Sequence, residues 1–344
     1  MSPTTTLLIM SSLATGTIIT ASSFHWFMAW IGLEINTLAI LPIISKQHHP
    51  RATEAAIKYF LTQAAASALI LFSSTINAWQ SGTWDITQPT NTMSSILFTV
   101  ALAMKLGLAP MHFWLPEVLQ GTTMTTALII STWQKLAPMT LIYLTTNNLS
   151  PTTLILMGAL STCIGGWGGI NQTQTRKIMA YSSIAHFGWM AAISPMLTNI
   201  MMLYLFMYIL MTTTMFTALI MTKSKTIQNM TTTGALSPAL IAMALLTLLS
   251  LAGLPPLSGF MPKWLIINEL IHQNLITTTS LMTMSTLLSL FFYLRLTYAT
   301  SLTMAPCTPN TTYKWRLIST SPMLMTMTIP MAILALPITP ILTQ

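Results

Sequence analysis

Apolar residues run along the chain in blocks of about 20, the length a helix needs to cross a bilayer, and short polar segments separate them. The first blocks lie near 5–20, 24–44, the run up to 79, 95–121 and 124–144. They continue with a run ending at 165–169, one on each side of Ser194-Pro195, then 239–270, a run reaching Arg295, and 322–342. About eleven spans result, which predicts an all-α, polytopic membrane helix bundle. Little chain is left between spans, so 1–344 reads as a single transmembrane domain. Two blocks depart from a plain span. The block 95–121 carries Lys105 and is interrupted by Gly107, Pro110 and Pro116, and the block 239–270 carries Lys263 and is interrupted by Gly253, Pro255, Pro256, Gly259 and Pro262. Glycine and proline at such density predict a broken helix in each.

The two broken blocks resemble each other. Gly107-Leu108-Ala109-Pro110 matches Gly253-Leu254-Pro255-Pro256, 146 residues later, and the same register places Pro116-Glu117 on Pro262-Lys263. The blocks are the fourth and ninth spans, so they cross in opposite directions. This predicts two inverted repeats, approximately 5–145 and 152–300, each with a broken helix, followed by a C-terminal helix at approximately 322–342. The loops after spans two, six, eight and ten hold Lys and Arg, whereas those after spans three, five, seven and nine hold none. That alternation places the N-terminus on the positive side and the C-terminus on the other. MSPTTTLLIM runs directly into the first span, so no cleaved leader is expected.

Composition narrows the chemistry. Hydrophobic residues make up 53% and charged residues 5%, with a mean hydropathy of +0.68, against roughly 25% charged in a soluble domain. The net charge of +8 sorts by loop, so topology accounts for it and a nucleic-acid partner is not expected. Cys163 and Cys307 stand far apart without a Cys-x-x-Cys pair, and no glycine-rich nucleotide motif occurs. The chain therefore predicts no cofactor and no metal of its own. The 28 methionines read as flexible apolar filling.

Four charges remain inside apolar runs: Glu34, Lys105, Lys135 and Lys263. A lysine stem reaches only about 6 Å, against a half-thickness of about 15 Å, so snorkelling does not explain a midplane lysine. Such groups face water or a counter-charge and mark ion pathways. Desolvation favours the neutral forms and pairing of Glu34 with Lys105 the charged ones, a competition that suits proton exchange. His112 lies seven residues beyond Lys105, about 10 Å along a helix axis. His186 lies beside Ser182 and Ser183. Both read equally as relay groups or as hydrogen-bonded structural histidines, and Glu117 as a gate or an interfacial residue.

The stretches IGLEIN around Glu34, RATEAAIKYFLTQA at 51–64, MKLGLAPMHFWLPEVLQG at 104–121, STWQKLAP at 131–138, GGINQTQTRKIMAYSSIAH at 168–186 and LAGLPPLSGFMPKW at 251–264 carry a resemblance over nearly the whole chain. They are similar to the antiporter-like membrane subunits of NADH-ubiquinone oxidoreductase, respiratory complex I, which are related to cation/proton antiporters. The resemblance implies a proton path through Glu34, Lys105, Lys135 and Lys263. It also implies neighbouring antiporter-like subunits in a membrane arm, lipid around them, and the mitochondrial inner membrane with the matrix on the positive side. NADH, flavin, iron–sulfur clusters and ubiquinone are then expected on other subunits. Bacterial relatives carry about three more spans at the N-terminus, a departure typical of animal mitochondrial forms. The alternatives are a stand-alone cation/proton antiporter and a structural subunit that passes no protons. Nothing in the sequence marks a quinone pocket.

Overall fold

The apolar runs fold as helices because backbone groups in lipid must pair within their own segment. A computed structural model describes residues 2–47, 49–88, 91–236, 238–302 and 323–339. His48, Cys307, Lys314 and Arg316 lie outside the described residues. The helices are α1 (Pro3–Ala21), α2 (Trp26–Ile44), α3 (Pro50–Ser81), α4 (Thr92–Leu106), α5 (Trp114–Gly121), α6 (Met124–Ser131), α7 (Trp133–Thr145) and α8 (Pro151–Gly169). They continue with α9 (Thr175–Ile193), α10 (Thr198–Thr222), α11 (Ile227–Leu236), α12 (Pro238–Ala252), α13 (Phe260–His272), α14 (Ile276–Leu302) and α15 (Met323–Leu334). Among the described residues there is no strand, only two isolated bridges.

Five helices, α1, α2, α3, α10 and α14, are long and apolar enough to cross a membrane alone. Three further crossings are pairs of short helices: α4/α5, α6/α7 and α12/α13. With each pair taken as one crossing, α8 and α9 as one each, and α15 as the described part of the last span, the helices account for the eleven spans.

Two features were not expected. The span carrying Lys135 is itself broken, between α6 and α7, at Thr132. There both the amide and the hydroxyl of Thr132 donate to Leu128 O, at 3.0 and 2.7 Å, a back-bond that bends helices. The other is α11, a ten-residue helix in a segment that reads as loop.

The chain divides into two compact units, 1–161 with 190–198, and 162–189 with 199–344. In the first, α2 packs on α1 and α3, and α3 on α4 and α5. In the second, the glycines closing α8 permit close approach. A Cβ on Gly166 would fall 2.8 Å from Ser285 O, and one on Gly169 2.6 Å from Phe292 Cδ1, both on α14.

Candidate proton-handling site

The first halves of the α4/α5 and α12/α13 crossings end in the same way. Gly107 follows α4 with φ of 74°, and Gly253 follows α12 with φ of 84°, the left-handed turn that glycine adopts most readily. In each, the next amide turns back five residues: Leu108 N donates to Ala103 O (2.9 Å) and Leu254 N to Leu249 O (3.4 Å). The turn leaves the last carbonyls of the helix without backbone donors inside the protein. Lysines occupy them. Lys135 Nζ donates to Leu106 O at 2.5 Å, and Lys263 Nζ donates to Ala252 O at 2.9 Å and Leu251 O at 3.2 Å. A helix C-terminus carries about half a negative charge, so an ammonium there is held by a fixed dipole without a carboxylate partner.

In the first unit, Lys105 and Lys135 are 4% and 2% exposed and face one cavity. It has space for about one water molecule, ≈ 10 Å³, and Asn36, Tyr59, Gln63, Trp114 and Gln134 also line it. Lys135 Nζ lies 5.0 Å from the centre of the Trp114 ring. Trp114 Nε1 in turn donates to Met104 O at 3.1 Å, tying α5 back onto the end of α4. Gln134 Nε2 donates to Asn36 O at 3.1 Å and holds α7 against α2. Among the described residues, Lys105 Nζ, Gln63 Nε2 and Asn36 Nδ2 are buried without a hydrogen-bond partner. Glu34 Oε2 is likewise buried without one. Its residue is half-buried and precedes the lining residues Asn36 and Thr37 on α2. The Glu34 carboxylate is close enough to act electrostatically on Lys105 and Tyr59.

The second unit builds its site differently. Lys263, 8% exposed, opens α13 and shares a second water-sized cavity, ≈ 10 Å³, with His186, Tyr293, Ser285 and Ser289. His186 Nδ1 lies 2.9 Å from the Tyr204 hydroxyl, and the Tyr208 ring lies 5.5 Å away. Lys263 acts electrostatically on His186.

The remaining sequence candidates fall elsewhere. His112 is buried in the turn between α4 and α5, its Nδ1 3.2 Å from Pro110 O, and it does not line the first cavity. Glu117 Oε2 pairs with Lys58 Nζ at 2.5 Å, and Lys58 also holds Glu54 at 2.5 Å, all three exposed. Sequence reasoning passed over Asn36, Tyr59, Gln63, Trp114 and Gln134 in the first unit, and Tyr204, Tyr208 and Tyr293 in the second. Their signal was present in weak form: Asn36 sits two residues from Glu34, and Gln134 is adjacent to Lys135.

A family model for the transmembrane region of NADH:quinone oxidoreductase and Mrp antiporters matches residues 23–289, and one for the C-terminus of NADH dehydrogenase subunit 2 matches 290–343. The chain is 53% identical over 342 residues to NADH-ubiquinone oxidoreductase chain 2 of Xenopus laevis, covering 99% of both chains. The chain belongs to the NADH-ubiquinone oxidoreductase chain 2 family. Among solved structures it is similar to a chain of respiratory complex I from Thermus thermophilus, with TM-score 0.83 and 26% identity, covering 97% of this chain and 79% of that one. It also shares its fold with a chain of the Mrp complex from Dietzia sp., with TM-score 0.76 and 16% identity, covering 86% and 60%. As a member of the chain 2 family it is a multi-pass, antiporter-like membrane-arm subunit of a proton-translocating NADH:ubiquinone oxidoreductase.

Proposed function

We propose that each unit holds and exchanges a proton at a lysine set on the negative end of a broken helix, and that Glu34, Lys105, Lys135 and Lys263 carry the proton movement of this subunit. The observation that supports this best is the recurrence of one arrangement, an ammonium on the last carbonyls before a left-handed glycine, in both units. In the first unit Lys105 faces the same cavity as Lys135 with no hydrogen-bond partner of its own among the described residues. A single water in that cavity would bridge them, because Tyr59, Gln63 and Gln134 supply the further polar contacts such a water needs. Glu34 supplies the opposing charge, acting electrostatically on Lys105: an approach of the carboxylate would retain a proton on Lys105, and its withdrawal would release one. In the second unit His186, held on the Tyr204 hydroxyl, is the neighbouring group able to accept or donate.

NADH, flavin, iron–sulfur clusters and ubiquinone belong on this reading to other subunits, and the chain contributes proton chemistry alone. The reading further places the chain in the mitochondrial inner membrane, N-terminus on the matrix side and C-terminus on the intermembrane-space side, beside other antiporter-like subunits. The test is the assembled complex in liposomes, with proton uptake measured per NADH oxidised. Lys105→Met, Lys135→Met and Lys263→Met should each lower that ratio or the turnover. Unchanged ratio and turnover in all three would leave the chain a structural subunit.

A further inference from the structure

One corner of the second unit collects cations. Arg176 and Lys177 open α9, Lys223 and Lys225 follow α10, and Arg295 lies near the end of α14. The one carboxylate in 162–189 and 199–344 is Glu269, in the last turn of α13, at the far end of the α12/α13 crossing.

The structure gathers the cations. Thr175 N donates to Lys225 O and Ile227 N to Thr173 O, both at 3.2 Å, so the segment before α9 and the segment after α10 pair as a short antiparallel bridge. Arg295 Nη1 donates to Ile170 O, 2.7 Å away, just ahead of that bridge. Lys223 takes the position after α10 with φ of 52°, a left-handed conformation that costs a lysine more than a glycine. Beside the charges runs an outward aromatic stripe. Phe291, Arg295 and Tyr298 follow one face of α14 and are all exposed. Trp167, 77% exposed, accepts a hydrogen bond from Ile170 N on its carbonyl at the end of α8.

We propose that this corner is a headgroup site for an anionic phospholipid. Lys223, Lys225 and the outward N–H groups of Arg295 hold the phosphate oxygens, and the acyl chains lie along Phe291, Tyr298 and Trp167. The tendency of one membrane face to collect Lys and Arg accounts for their sign. It does not account for a lysine where glycine is cheaper, or for an arginine anchored at the head of an aromatic stripe on a membrane helix. An acidic protein segment on the loops would leave that stripe unused, whereas a lipid uses both, with indole and phenol at headgroup depth.

The experiment uses the assembled complex in lipid nanodiscs, with a photoactivatable phosphatidylglycerol or phosphatidylcholine as probe and labelled peptides mapped. Peptides covering 163–177 and 288–299 should label with the anionic probe about tenfold more strongly or better. Lys223→Gly removes a charge while relieving the left-handed backbone, so the complex should assemble normally and labelling should fall about fivefold. If that variant does not assemble, Lys225→Gln leaves the backbone alone and reads the same quantity. Equal labelling by the two probes, undiminished labelling in the variants, or displacement of the probe by millimolar glycerol phosphate would each overturn the site.

Discussion

At the scale of single residues, the two left-handed glycines are alike in backbone and unlike in what surrounds them. A Cβ on Gly107 would meet Leu115 Cδ1 at 3.2 Å, whereas one on Gly253 would meet Lys263 Cδ and Nζ, both at 3.1 Å. Alanine at either position carries a backbone cost of about 1–2 kcal/mol. Gly107→Ala should therefore show mainly as earlier thermal inactivation of the complex. Gly253→Ala should in addition push the Lys263 ammonium off Ala252 O and lower proton uptake per NADH; equal effects of the two on that ratio would show that the lysine's seat is unimportant. Lys263→Gln separates capping from ionisation. It keeps an N–H donor near the helix end and removes the titratable group, so assembly should survive while pumping falls.

Helices are the next scale, and here the joint between α4 and α5 depends on Trp114. Its indole N–H ties α5 to Met104 O, and its ring lies under the Lys135 ammonium. Trp114→Phe keeps a ring face and loses one hydrogen bond, a cost of about 1 kcal/mol. Trp114→Ala loses both contacts and should reduce proton uptake as well as stability, so that only the alanine variant changes the pumping ratio. The contrasting case is Glu117 on the same half-helix. Its carboxylate is tied to Lys58 in an exposed network, and exposed pairs contribute little. Glu117→Gln should leave the pumping ratio unchanged, and a clear drop would return that residue to the proton path.

This scale also separates what was legible in the sequence from what was not. The breaks at Gly107 and Gly253 could be read because glycine and proline change the backbone by themselves. The break at Thr132 could not, since threonine bends a helix only when its hydroxyl chooses Leu128 O over solvent. The buried lysines stood out because a charge in an apolar run is costly, but their seats on helix carbonyls are tertiary contacts that no local pattern encodes. Asn36, Gln63 and Tyr59 escaped notice for the opposite reason: a neutral polar group in a membrane helix is cheap enough to be common.

At the scale of the whole molecule, the question is whether the two units pass protons independently or as steps of one path. The repeat in sequence and the recurrence of a lysine at each broken helix allow either. The donor sets argue for steps. The first unit sets two lysines on one cavity with the Glu34 carboxylate acting electrostatically on Lys105, and the second sets one lysine beside a histidine and buried tyrosines, so neither copies the full chemistry of the other. Groups that act in one sequence lose their function together and show strongly non-additive kinetics. Lys105→Met combined with Lys263→Met should then reduce proton uptake no further than the more damaging single change. Two independent routes would instead give losses that add, each single variant keeping the other unit's share. The ratio of protons to NADH in the double variant, measured against both singles in the same vesicles, decides between one path of two unlike stations and two paths of one.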